Sequence, residues 1–124
     1  MAERPVLIVQ NIQREGPGLI AEVLNSRGIG HESANLELLP SLPAAVDYKA
    51  VIVMGGPDSA NDITAEMNSE LTLVKECLEN NIPYLGVCLG MQDLAKVAGG
   101  QVVAGHTREI GLKDEQGEPY EVKL

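Results

Sequence analysis

Three short apolar runs, "PVLIVQ" at 5–10, "KAVIVM" at 49–54 and "IPYLGV" at 82–87, are separated by longer stretches in which apolar residues recur every three or four positions. Runs of that length, rich in β-branched residues, fit strands buried on both faces, because a strand with one wet face would alternate apolar and polar side chains. The stretches between them fit helices. Leu19, Ile20, Val23 and Leu24 line one face of the first, which Gly28 can end. Met67, Leu71, Val74 and Leu78 predict a second helix over 65–80, and Met91, Leu94, Ala95 and Ala98 a third, stopped by Gly99 and Gly100.

The remaining segments are less periodic. "GHESANL" at 30–36 reads as a more peripheral strand, the Pro-bounded "PSLPAAVDY" at 40–48 as a loop, and "QVVAG" at 101–105 as another short strand. The last stretch, "REIGLKDEQGEPYEVKL", reads as a hairpin around a Gln-Gly turn. Strands alternating with helices imply a three-layer α/β/α architecture around a mostly parallel sheet with right-handed crossovers. A chain of 124 residues is the size of one domain, so 1–124 is read as a single unit. With no Phe or Trp, its core is packed from Val, Ile, Leu, Met and Ala.

Charge and composition exclude several partners. Eighteen acids against nine Lys and Arg, with no basic run, disfavour a surface that tracks nucleic-acid phosphates. No stretch approaches the roughly 18 apolar residues that span a bilayer, and the amino terminus lacks a signal-peptide pattern, so no membrane partner and a cytoplasmic location are expected. The two cysteines form neither a disulfide framework nor a CxxC, and His31 and His106 are far apart in sequence, so neither a metal nor another cofactor is expected.

In a parallel sheet, ligands bind beyond the carboxyl ends of the strands. Two glycine-rich segments fall on that edge: "GGP" at 55–57 and "GVCLG" at 86–90. If the strand ends near Val87 and a helix starts near Leu89, Cys88 occupies a sharp strand-to-helix turn, the geometry of a nucleophile elbow. Gly86 and Gly90 suit a turn that crowds its flanks. The helix amino terminus offers unpaired amides and positive potential, which favour a thiolate and can hold an oxyanion. The Leu89 amide would be one donor, and the "GGP" loop the natural source of a second, with Pro57 limiting its freedom. Taken alone, Gly-x-Cys-x-Gly fits a close-packed turn around an inert cysteine as well as a site; the second glycine loop on the same edge favours the site.

"PYLGVCLGMQDLAKVAGG" at 83–100 resembles the nucleophile segment of class I glutamine amidotransferases, and "VIVMGGPDSAND" at 51–62 resembles their oxyanion loop. "REIG" at 108–111 is similar to a segment of the GMP synthase-like subgroup. The resemblance implies a flavodoxin-like fold and assigns roles by matching position. Cys88 would attack the side-chain amide of glutamine, Gly56 and Leu89 would supply the oxyanion-hole amides, and Gly55 and Gln92 would help bind the glutamine. The implied reaction passes through a thioester, releases ammonia and ends in glutamate. The implied partner is a synthetase domain or subunit that accepts the ammonia.

The family activates its cysteine with a His-x-Glu pair far downstream, and this sequence has none: His106, the sole histidine after Cys88, is followed by Thr107 and Arg108. His106 is therefore read as an exposed loop residue, and the domain as an incomplete, truncated amidotransferase, inactive as it stands. A split protein completed by a partner, and a non-catalytic binding or regulatory module on the same scaffold, are the alternatives. Cys77 reads as core, His31 as structural or surface, and Asp58 and Asp62 as helix-capping or loop-shaping residues. The acids at 114, 115 and 118 read as a solvated cluster. A receiver-like signalling domain would place acids after the first strand, where Gln10 and Asn11 stand, and no phosphate-binding GxxxxGK[ST] motif supports nucleotide hydrolysis.

Overall fold

The computed structural model describes residues 4–11, 18–36, 38, 42–56, 59–103 and 116. Four strands, β1 (Val6–Gln10), β2 (His31–Asn35), β3 (Ala50–Val53) and β4 (Tyr84–Gly86), form one sheet in the order β2-β1-β3-β4 with every pairing parallel. Parallel neighbours need crossovers. Helix α1 (Gly18–Ser26) lies between β1 and β2 in sequence, α2 (Ala65–Glu79) between β3 and β4, and α3 (Leu89–Val97) follows β4. The peripheral strand expected at 30–36 is β2, at the sheet's edge.

The two apolar runs richest in β-branched residues became the two central strands, and their side chains alternate between two cores. Leu7, Val9, Val51 and Val53 point to one face, where they meet Ala34, Leu36, Tyr48, Leu73 and Cys77. Val6, Ile8 and Ile52 point to the other, against Ile20, Leu24 and Ile29. A third, smaller cluster of Ala60, Met67 and Leu89 joins the starts of α2 and α3 below the carboxyl edge of the sheet.

The helix faces differ from the periodic reading. In α2 the buried residues are Met67, Glu70, Leu73, Val74 and Cys77, while Leu71 is half-buried and Leu78 is exposed. The helix packs on both the sheet and α3, which rotates the buried arc onto a position occupied by a glutamate. In α3 the buried residues are Leu89, Gly90 and Asp93, and Met91 is 58% exposed. Close approach of the helix to β3 and β4 needs a glycine, and an aspartate fills the next inward position, so the apolar pattern misplaced the face. No residue of α1 is buried: Leu19 and Val23 are exposed, and only Ile20 and Leu24 pack on the sheet.

Local chemistry sets the ends of the elements. Gly28, with φ +67, follows α1 in a conformation that costs glycine little. Thr64, rather than Asp58 or Asp62, caps α2, its Oγ1 accepting the Met67 amide at 3.0 Å. Asp62 shapes the preceding loop by accepting the Ser59 amide at 2.9 Å; Asp58 lies outside the described residues. The segment expected to be loop contains a 3-10 turn, Ala45–Asp47, whose Ala45 amide donates to Glu76 Oε2 at 2.8 Å. Residues 101–103 form no strand, against expectation. The rest of "QVVAG", His106, "REIG" and the expected hairpin, apart from Gln116, lie outside the described residues.

Candidate active site

The β4–α3 junction places a cysteine where the backbone turns through a conformation that L-residues rarely adopt. Cys88 has φ 50 and ψ −104, is exposed, and immediately precedes α3. Strain of this kind costs about 1–3 kcal/mol and persists only where the surroundings impose it. Two glycines impose it here. A Cβ at Gly86 would collide with the Gly90 and Met91 backbone, and one at Gly90 would collide with the Val53 carbonyl. The first turn of α3 thus sits directly on the ends of β3 and β4. Hydrogen bonds lock the contact: Val87 N donates to Val53 O at 2.9 Å, and the Tyr84 hydroxyl to Gly90 O at 2.7 Å. Burial, with the nearby Asp93 and Glu70 carboxyls, pushes the Tyr84 hydroxyl well above the ordinary tyrosine range, so it remains a donor.

The second glycine loop reaches the same point. A Cβ on Gly55 would lie 3.2 Å from Cys88 Cβ and 3.9 Å from its sulfur, so the loop backbone touches the cysteine side chain. Gly56 is next to both Leu89 and Asn11: an added Cβ would come within 3.6 Å of Leu89 Cδ2 and 2.6 Å of Asn11 Cβ. Among the described residues, the amides of Gly55, Gly56 and Leu89 donate no backbone hydrogen bond. Gly55 thus lies against Cys88, and Gly56 against the side chain of Leu89, the residue after Cys88. Gln92 stands one helical turn along α3, half-buried, its own amide donating to Cys88 O at 3.1 Å. Pro57 lies outside the described residues.

The other cysteine and the described histidine have surroundings of their own. Cys77 is buried beneath β1 and β3, and burial, with the Glu76 charge, pushes its thiol up to about 11. A thiol held neutral in an apolar core packs rather than reacts. His31 lies on the edge strand β2, its Nε2 at 3.1 Å from Asn25 Oδ1. Among the described residues, no three His, Cys, Asp or Glu side chains form a group able to hold a metal ion.

Three buried polar residues next to the site escaped the sequence reading. Asn11, Glu70 and Asp93 are 5%, 0% and 0% exposed. Asn11 alone had a visible signal, since it follows a central strand on the carboxyl edge. Glu70 and Asp93 stand in helical stretches where a charge ordinarily marks the solvent face, and nothing in one sequence pairs them.

A family model described as "Glutamine amidotransferase class-I" matches residues 19–121. The glutamine-hydrolyzing GMP synthase of Rhodopseudomonas palustris (strain ATCC BAA-98 / CGA009) is 39% identical over 93 residues, covering 75% of this chain and 16% of that protein. The glutamine-hydrolyzing GMP synthase of Alcanivorax borkumensis is 33% identical over 102 residues, covering 82% of this chain and 18% of that protein. The chain thus spans under a fifth of the length of these relatives. A crystal structure of a glutamine amidotransferase from Methylobacillus flagellatus superposes with a TM-score of 0.82 at 36% identity, over 89% of this chain and 45% of that one. One from Thermotoga maritima gives 0.70 at 25% identity.

Proposed function

This chain belongs to the class-I glutamine amidotransferase family, and we propose that Cys88 is the nucleophile of its glutaminase reaction. The thiolate would add to the side-chain carboxamide of glutamine, and the amides of Gly56 and Leu89 would donate to the developing oxyanion. Collapse of the tetrahedral adduct would expel ammonia and leave a thioester, which water hydrolyses to glutamate. Gly55 and Gln92 would line the glutamine site. The observation that supports this reading best is the strained Cys88 backbone at the start of α3 with the Gly55 backbone against its side chain.

The reaction also requires a base that takes the thiol proton and returns it to the departing ammonia. The residues from Met1 to Leu124 contain no His-x-Glu pair. The base would come from other polypeptide, and the ammonia would pass to a synthetase domain or subunit, as the similarity to GMP synthases supports. A cytoplasmic setting fits this role; among the described residues no helix is long and apolar enough to cross a membrane.

Diazo-oxonorleucine, a glutamine analogue with an electrophilic carbon, tests the proposal in the intact natural protein together with whatever polypeptide supplies the base. Peptide mass spectrometry should find the adduct on Cys88, and Cys88→Ala should abolish it. An intact protein that leaves Cys88 unlabelled would overturn the reading. The missing His-x-Glu favours one competitor, a non-catalytic regulatory module, for which Cys88→Ala would leave cellular function unchanged.

A further inference from the structure

Behind the glycine loop, three buried polar side chains connect elements that apolar residues could have joined at lower cost. Asn11, at the carboxyl end of β1, donates from Nδ2 to Met54 O at 2.9 Å and to Glu70 Oε1 at 3.4 Å. Its Cβ occupies the space against Gly56 that a side chain there would need. Glu70 comes from α2, and Asp93, from α3 five residues beyond Cys88, is buried close enough to it for the two carboxyls to influence one another. Among the described residues neither Asp93 carboxyl oxygen has a hydrogen-bond partner. The line runs from the elbow helix through Asp93, Glu70 and Asn11 to the backbone at 54–56.

Burying polar groups without a return in hydrogen bonding costs free energy, and leucine-like side chains would fill the same volume. What they could not do is grip a carbonyl. Met54 O, the last acceptor before Gly55, is held on one side by Asn11, while Met54 N donates to Val9 O at 3.0 Å. Met54 is thereby fixed through its own N–H and its own C=O, immediately before a segment where glycine would otherwise leave the backbone free.

We propose that Asn11 is a positioning residue, anchored by Glu70, that fixes the Gly55–Gly56 backbone against Cys88. Its consequence for the reaction rests on the reading of Gly56 as an oxyanion donor. Asn11 then sets where that amide points, and Glu70 keeps the Asn11 amide from rotating away from Met54 O.

The test uses the intact natural protein, together with whatever polypeptide supplies the base, and two readouts. Backbone amide order parameters from NMR relaxation should be rigid at Gly56 in the wild type, about 0.85, and should fall below about 0.6 in Asn11→Leu and Glu70→Leu. Amides of Val51–Val53 should be unchanged. Glu70→Gln keeps an acceptor for Asn11 and should stay at the wild-type value. A rigid Gly56 in the leucine variants, or loosening in Glu70→Gln equal to that in Glu70→Leu, overturns the proposal; if Asn11→Leu does not fold, the two Glu70 variants decide it.

The second readout is kcat for glutamine hydrolysis, which passes through the oxyanion, relative to the rate of Cys88 alkylation by iodoacetamide, whose displacement reaction forms none. In the leucine variants the ratio should fall on the order of 10²-fold, the effect of losing one oxyanion donor. A loosened Gly56 with an unchanged ratio overturns the catalytic consequence. Order parameters that respond as expected, in a wild type that diazo-oxonorleucine never labels, uphold the positioning and remove the glutaminase reading instead.

Discussion

On one face of the sheet, Leu7, Val9, Val51 and Val53 meet Leu73 and Cys77 from α2, and none of the six is more than 2% exposed. On the other, Val6, Ile8 and Ile52 meet a helix in which no residue is buried, and Leu19, Val23 and Leu85 are half-exposed or more. An apolar hollow of about 320 Å³ lies there, lined by Leu19, Ile20, Val23, Leu24, Ile52 and Leu85. The strands are equally apolar toward both sides, so the difference lies in the helices. Two helices, α2 and α3, cover the first face, and those are the helices that surround the candidate site.

The closed face should respond most strongly to substitution. Leu7→Ala removes a side chain 1% exposed from the tightest cluster and should cost about 2–5 kcal/mol, read as a lower urea midpoint with an unchanged slope. A cost under about 1 kcal/mol would mean that this face is no better packed than its opposite.

A second way to sharpen the contrast uses the charge buried on the closed side. Burial raises the Asp93 pKa above the ordinary 3.8, against the opposing effects of the neighbouring Glu70 side chain and the Lys96 charge. An acid whose native pKa is raised binds its proton more tightly when folded. Its contribution is therefore fully present below about pH 3.8 and is lost as pH rises toward the native value. Asp93→Asn should flatten that part of the stability-versus-pH curve without changing its acid side. An unaltered slope would place the proton elsewhere.

The same contrast explains what the sequence disclosed. The unbroken apolar runs in "PVLIVQ" and "KAVIVM" revealed a doubly buried sheet, and glycines flanking Cys88 revealed the elbow, because both are local demands of the backbone. Helix faces were misread where a polar residue took an inward position, as Glu70 and Asp93 do, since their partners are distant in sequence and only the packed structure pairs them. In α3 the inward position belongs to Asp93, whereas Met91 and Ala95, expected on the buried face, are exposed. The exposure of Leu19 and Val23 was unreadable for a different reason: an amphipathic stripe states that a helix can be covered, not that it is.

At the edge where the two faces meet, Cys88 provides a smaller, opposite effect. Its φ of 50 is strained for any residue with a Cβ, so Cys88→Gly should raise stability by about 1 kcal/mol while removing the nucleophile. Loss of stability instead would show that the cysteine side chain contributes packing that outweighs the strain.

The smallest effect should fall on the open face. Leu85 is 52% exposed at the rim of the hollow, so Leu85→Ala removes little buried area and should change stability by no more than about 0.5 kcal/mol. The comparison with Leu7 is informative because both are leucines in parallel strands of one sheet and differ chiefly in what covers them. A cost for Leu85→Ala approaching that for Leu7→Ala would require a cover on this face in solution. Dependence of that cost on protein concentration would identify the cover as a second copy of the chain, because only an intermolecular contact links stability to concentration by mass action.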